Sequence, residues 1–165
     1  MPDYQQIDLF SSVKPYFSLM GKDIKVIELF AGIGSQYRSL EILQQYGEKQ
    51  LGYKPFELHH HKICEWAFNS IVMYNLIHQK DFTDYSEGKT KEEMIERIKG
   101  ISTDYNTPLT MEQLNKKPIG WIKEAYNSCI ATNNLVDISN VKGGDLEIMD
   151  TDKSVYIMTY SFPCQ

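Results

Sequence analysis

No apolar run in this sequence is long enough to span a bilayer, and the first twenty residues carry Asp3 and Asp8 instead of a basic secretion signal. Cysteine is scarce. Cys64, Cys129 and Cys164 form no CxxC pair, which argues against a disulfide scaffold and for a reducing, cytoplasmic setting. Positive charge is also short: 17 basic residues face 22 acidic ones, for a net charge of −5. That balance disfavours a stand-alone nucleic-acid binder, because neutralising phosphates normally needs a basic surface. It does not exclude an enzyme whose nucleic-acid grip lies elsewhere. Internal repeats and low-complexity tracts are missing too. What is present, 165 residues with 42% hydrophobic and 24% charged, reads as one soluble globular domain. A chain of this length buries roughly two-thirds of its unfolded surface. No polar tail or helix cap follows Cys164-Gln165, so the sequence reads as cut there.

The apolar run Ile24–Phe30 predicts a buried parallel strand. It enters the turn Ala31-Gly32-Ile33-Gly34, then a helix from about Ser35 with Tyr37, Leu40, Leu43 and Tyr46 as its stripe and Gly47 as its stop. Lys62–Glu65 is a second expected strand, followed by a helix with Ala67, Ile71, Met73 and Tyr74. A short third strand is expected before Gly143-Gly144-Asp145-Leu146, and Ser154–Tyr160 is the clearest late strand. Alternating strands and helices predict a doubly wound, mostly parallel α/β sheet. Residues 1–23 allow a short packed helix interrupted by Pro15.

Residues 80–140 exceed what such a sheet needs. Thr90 with Glu93 forms a capping-box signature, with Met94, Ile95 and Ile98 as the stripe and Gly100 as the stop. After Pro118, a second helix turns Trp121, Ala125 and Cys129 inward. The stretch is expected to be a helical, peripheral insertion, since roughly sixty residues is small for an independent core.

Four places could carry chemistry. The Phe30–Gly34 turn joins strand to helix, where glycine permits close ligand approach and the helix start offers free N–H groups. It is not a full GxGxxG, which disfavours a dinucleotide, and such turns also occur as plain tight turns. Glu65, at a strand's carboxyl end, can accept both hydroxyls of a ribose, and Trp66 offers a flat face to adenine. The bland alternative is a loop glutamate beside a core tryptophan. Cys164, after Phe162-Pro163, is a competent nucleophile at the end of the last strand, or else a buried structural thiol. His59-His60-His61 with Cys64 invites a metal reading. Neighbouring side chains on an extended strand face opposite ways, however, so no metal site is expected.

In this order the motifs resemble the N-terminal part of the DNA cytosine-C5 methyltransferase family. Glu28-Leu29-Phe30-Ala31-Gly32-Ile33-Gly34 is similar to its first motif, with Glu28 where aspartate is usual. Glu65-Trp66 with Tyr74 resembles the second, with Ala67 where aspartate is usual, and Gly144-Asp145-Leu146 resembles the third. Phe162-Pro163-Cys164-Gln165 matches the fourth, the Pro-Cys nucleophile motif. The match covers about residues 24–80 and 141–165.

The resemblance implies a Rossmann-like, S-adenosylmethionine-dependent methyltransferase fold truncated after its fourth strand, with residues 1–165 as a partial cofactor-binding catalytic domain. It implies Phe30 against the adenine and the backbone of Ala31, Gly32, Ile33 and Gly34 around the methionine end. Glu65 would take the ribose hydroxyls, Trp66 would stack on the adenine, Asp145 would accept from its amine and Leu146 would supply backbone. Cys164 would attack C6 of a flipped-out cytosine, with Pro163 shaping the pocket. Double-stranded DNA would be gripped through parts of the enzyme absent here, so this chain alone is expected to be inactive. The alternatives are a non-catalytic S-adenosylmethionine-binding or regulatory domain and an RNA cytosine methyltransferase. The strand order expected from the family puts Val155–Tyr160 at an exposed edge, where a second copy could pair.

Overall fold

The computed structural model describes residues 22–160. The helix expected in the lead-in falls almost wholly outside them, and Phe162–Gln165 lie outside as well. Among the described residues, three strands form one parallel sheet: β1 (Asp23–Leu29), β2 (Glu57–Cys64) and β3 (Ser154–Tyr160), in the order β2-β1-β3. β1 is central and its Val26, Ile27 and Glu28 are almost fully buried, as expected of a near-continuous apolar run. Helix α1 (Ser35–Leu51) covers one face, with Tyr37 and Leu40 packed on Ile24 and Val26.

Several boundaries differ from expectation for identifiable reasons. α1 runs through Gly47 and stops at Gly52, which takes the left-handed conformation (φ +76) and returns its N–H to the Glu48 carbonyl at 2.8 Å. Gly47 is needed for space instead: a Cβ there would come within 2.8 Å of Pro55 Cγ. β2 starts five residues before the expected Lys62, because pairing with β1 holds a polar, histidine-rich edge segment that has no apolar signature. Its register slips between Val26 and Ile27, where His61 is the extra residue of a bulge.

The short strand expected before Gly143 is absent. Asn134 makes one parallel bridge to Ile63, on the side of β2 where a third strand would lie. Asn133 (φ +46) and Val136 (φ +63) both take the left-handed region, so extension cannot propagate. Two 3₁₀ turns follow, Ile138–Asn140 and Gly143–Leu146.

Residues 80–140 fold mainly as short helices that pack on one another. Helices α3 (Lys91–Arg97), α4 (Met111–Lys116) and α5 (Ile119–Ala131) contribute Met94, Ile95, Leu114, Ile122, Ala125 and Cys129 to the largest buried cluster. That cluster is continuous with Ile71 of α2 (Phe68–Tyr74) and with Val136. Trp121 is half-buried and lies on Phe68 of α2, with ring centroids 4.5 Å apart. The capping box of α3 is formed, with Thr90 Oγ1 accepting from the Glu93 N–H and Glu93 Oε2 from the Thr90 N–H. A second box, Thr110 with Gln113, starts α4. α2 continues into a π-helical turn, Asn75–Gln79.

Candidate functional site

The site lies at the carboxyl ends of β1 and β2, where parallel α/β sheets bind ligands. β1 ends in a sharp turn: Phe30 (φ +55), Gly32 (φ +55) and Gly34 (φ +80) are all left-handed. Gly34 is the N-cap of α1 and has no side chain to cap with. Glu28 does that work from the strand, its Oε1 accepting the Tyr37 N–H at 2.9 Å while Oε2 accepts the Tyr74 hydroxyl. The turn is held from outside by His78 in the π-turn, whose ring donates to the Ile33 carbonyl at 2.9 Å.

Glu65 follows β2 directly and is 8% exposed. Its Oε2 accepts the Gly32 N–H and its Oε1 the Ala67 N–H, both at 2.7 Å. One carboxylate therefore joins the glycine turn to the segment after β2. The backbone of Glu65 is itself clamped by the fully buried Asn134, which accepts the Glu65 N–H at 3.0 Å and donates to its carbonyl at 2.9 Å. The same Asn134 oxygen accepts the Val136 N–H. Pattern and motif reading missed Asn134, which sits in an irregular segment and carries no periodic signal.

A cavity of about 260 Å³ opens here. Of the expected site residues, Phe30, Gly32, Glu65 and Trp66 line it. Ala31 is instead buried against Ile63 and Tyr74, Ile33 is exposed, and Gly34 packs against His78. Asp145 and Leu146 do not line the cavity. Asp145 is exposed, and its carboxylate accepts the Lys142 N–H of its own turn at 2.7 Å. The Leu146 carbonyl accepts from His61. The remaining walls are Val136, Asp137 and Ile138, together with Ser70 and Tyr105. The acidic residue between two apolar ones, Val136-Asp137-Ile138, was the available signal for this wall. Asp137 Oδ1 accepts from Ser139 and Oδ2 from Asn140, so the carboxylate is fixed at the cavity rim. Pro163 and Cys164 lie outside the described residues.

The other cysteines are poor nucleophiles. Burial, reinforced by the charges of Glu65 and Asp137, pushes the Cys64 thiol up to about 12, and burial pushes Cys129 up to about 11. The three histidines of β2 face different surroundings. His59 is exposed 3.6 Å from Asp23, His60 packs on Tyr37 and Tyr74, and His61 bonds to Leu146. Burial, followed by the charges of His78 and His61, lowers His60 to about 4. No cluster of three side chains suited to a metal occurs among the described residues.

A parallel sheet whose first strand ends in a glycine turn tied to the acidic residue after the second is consistent with a Rossmann-like methyltransferase fold. No family model matches the chain. It is 29% identical over 151 residues to the "Orphan methyltransferase M.SssI" of Spiroplasma monobiae (strain ATCC 33825 / MQ-1), covering 87% of this chain and 35% of that protein. The chain thus spans about a third of that relative's length. The similarity supports the resemblance to the DNA cytosine methyltransferase family carried by the motifs. Among the described residues, no helix is long and apolar enough to cross a membrane.

Proposed function

We propose that this chain carries the S-adenosylmethionine site of a cytoplasmic DNA cytosine-C5 methyltransferase. The observation that carries the reading is the Glu65 carboxylate, nearly buried, bonded to the Gly32 N–H and facing one cavity with Phe30, Trp66 and Asp137. The donor set fits an adenosine. Each Glu65 oxygen holds one backbone N–H and keeps capacity for a ribose hydroxyl. Phe30 and Trp66 supply flat apolar surface to the ring, and Gly32 lets the ligand approach the backbone. Asp137 and Ile138 take the place that the resemblance assigned to Asp145 and Leu146, with Asp137 accepting from the purine amine.

When bound, the cofactor supplies a methyl group on a sulfonium centre. In this reading the Cys164 thiolate would add to C6 of a flipped cytosine and push electron density onto C5, making C5 nucleophilic toward that methyl group, with the demethylated thioether as the leaving product. Release of the C5 proton to solvent would then let the C6–S bond break and return Cys164 as the thiolate. Pro163 shapes the base pocket. Flipping is needed because C6 is inaccessible within the stack. The acidic balance of the chain fits DNA contacts made by other parts of a longer protein. β3 is a sheet edge among the described residues, and the reading includes self-association there, which sedimentation at high concentration tests.

The experiment is calorimetric titration of the chain with S-adenosylmethionine, in the parent and in Glu65→Ala. The variant is expected to lose roughly 1–3 kcal/mol of binding. Equal affinity would mean that the ribose does not lie at Glu65. In the intact protein, DNA containing 5-fluorocytosine should trap a covalent adduct that disappears in Cys164→Ala. Trapping that survives the substitution removes the proposed nucleophile, and trapping on RNA alone moves the substrate.

A further inference from the structure

The loop between Ile101 and Leu109 belongs to the insertion, yet it is built into the wall of the cofactor cavity. Its neck is closed by the Leu109 N–H on the Ile101 carbonyl at 2.8 Å. Its first residue, the fully buried Ser102, is zipped to the segment just after Glu65: the Ser102 N–H donates to Trp66 and the Phe68 N–H donates to Ser102. Asp104 then sets the tip. Its Oδ1 accepts the Ser102 hydroxyl and the N–H groups of Asn106 and Thr107 at 2.9–3.1 Å.

These bonds hold Tyr105 in a left-handed conformation (φ +63), one that a bulky residue rarely adopts. The residue gains little burial in exchange, being 56% exposed. Its ring lines the same cavity as Phe30, Glu65 and Trp66, and its hydroxyl lies 3.5 Å from Ser70 Oγ on α2. A strained, over-anchored aromatic that fills no core and faces a cavity is placed for a ligand.

We propose that Tyr105 is a binding contact for the adenosyl part of the cofactor, an aromatic wall that the insertion adds to the site. The inference rests on the cofactor reading above. The insertion thereby acts on affinity directly: the Ser102 zipper sets the ring's distance from Glu65, and Asp104 sets its angle.

The test uses the full chain and S-adenosylmethionine, read by calorimetry and by tryptophan fluorescence in a Trp121→Phe background, which leaves Trp66 as the emitter. Tyr105→Gly removes the ring while suiting the left-handed backbone, so the fold is expected to persist. Its affinity should fall roughly three- to tenfold, with Tyr105→Phe close to the parent. As a measurement on unaltered protein, photolysis with an 8-azido-adenosyl analogue should label the peptide containing residues 102–108. Tyr105→Gly binding as the parent does, or labelling confined to other peptides, overturns the role of Tyr105. Glu65-dependent binding in the same titration would keep the cofactor reading alive in that case. A parent chain that binds no cofactor overturns both.

Discussion

Tyr74 donates its hydroxyl to the Glu28 carboxylate at 2.6 Å, at a point where both side chains are almost wholly removed from solvent. The pair ties α2 to the end of β1, and through the second Glu28 oxygen to the first turn of α1. Three elements that frame the glycine turn therefore meet at one carboxylate.

Burial raises the Glu28 carboxyl above its ordinary 4.5, outweighing the bonds from Tyr74 and Tyr37 and the charge of His78, which pull it down. The folded chain therefore holds this proton more tightly than the unfolded chain. Stability should fall as pH rises from 4.5 through the raised folded value, then level off. Glu28→Gln is expected to flatten that slope, since an amide can still accept from Tyr37 and meet Tyr74. Urea midpoints measured across this range check it, and an unchanged slope in Glu28→Gln would assign the titration to another group. Tyr74→Phe should cost roughly 1–3 kcal/mol at neutral pH by leaving Glu28 short of a partner.

Two glycines of the turn should respond differently to alanine. A Cβ on Gly34 would sit 2.6 Å from Tyr74 Cε2 and overlap the His78 ring, at φ +80. Gly34→Ala should therefore displace the turn and cost more than about 2 kcal/mol. A Cβ on Gly32 meets nothing within 4 Å, so Gly32→Ala should cost only the backbone penalty of about 1–2 kcal/mol. Thermal melts of the two variants compare them, and equal losses would show that the His78 contact is not rigid.

Asn134 satisfies three backbone groups from one buried position. Asn134→Ala strands them and should destabilise the chain by on the order of 3 kcal/mol, loosening Glu65 as it does so. Asn134→Asp restores the acceptor but not the donor to the Glu65 carbonyl, and is expected to fall between. Denaturation midpoints and the affinity for S-adenosylmethionine report the two effects. An alanine variant as stable as the parent would show that water replaces the clamp.

Replacing residues 86–138 by a short linker should abolish cooperative unfolding, because the largest buried cluster and the Asn134 clamp leave together. Within that cluster, Leu114→Ala should cost about 2–5 kcal/mol. A deletion variant that still melts cooperatively by circular dichroism would make the insertion dispensable.

Legibility in the sequence followed burial. β1 and β3 are apolar along most of their length and were readable, as was the α3 capping box, whose side chains announce themselves locally. The first half of β2 was not, because its polar, histidine-rich residues carry no alternating or continuous apolar pattern and only pairing with β1 defines the strand. Glu65 and Trp66, which line the cavity, were readable as candidates from their place after a strand. Asp137 was not, since the neighbouring Gly144-Asp145-Leu146 offered a better-looking motif, and only the left-handed break at Val136 brings Asp137 to the cavity. The insertion looked dispensable because its stripes are self-consistent. That they face Ile71 and Val136 is a tertiary fact with no local trace.

The parallel pairing of β1 with β3 also sets a timetable. Lys25 and Tyr156, side by side in the sheet, are separated by 131 positions in the chain. Ribosomes add about 5–20 residues per second, so one edge of β1 waits on the order of ten seconds for its neighbour during synthesis. Over that interval the unpaired N–H and C=O groups along Val26 and Ile27 are open to wrong strands, and the high contact order makes correct closure slow even afterwards. Yield in the cell should therefore depend on translation speed and on whatever shelters that edge, more than on the equilibrium stability of the finished sheet.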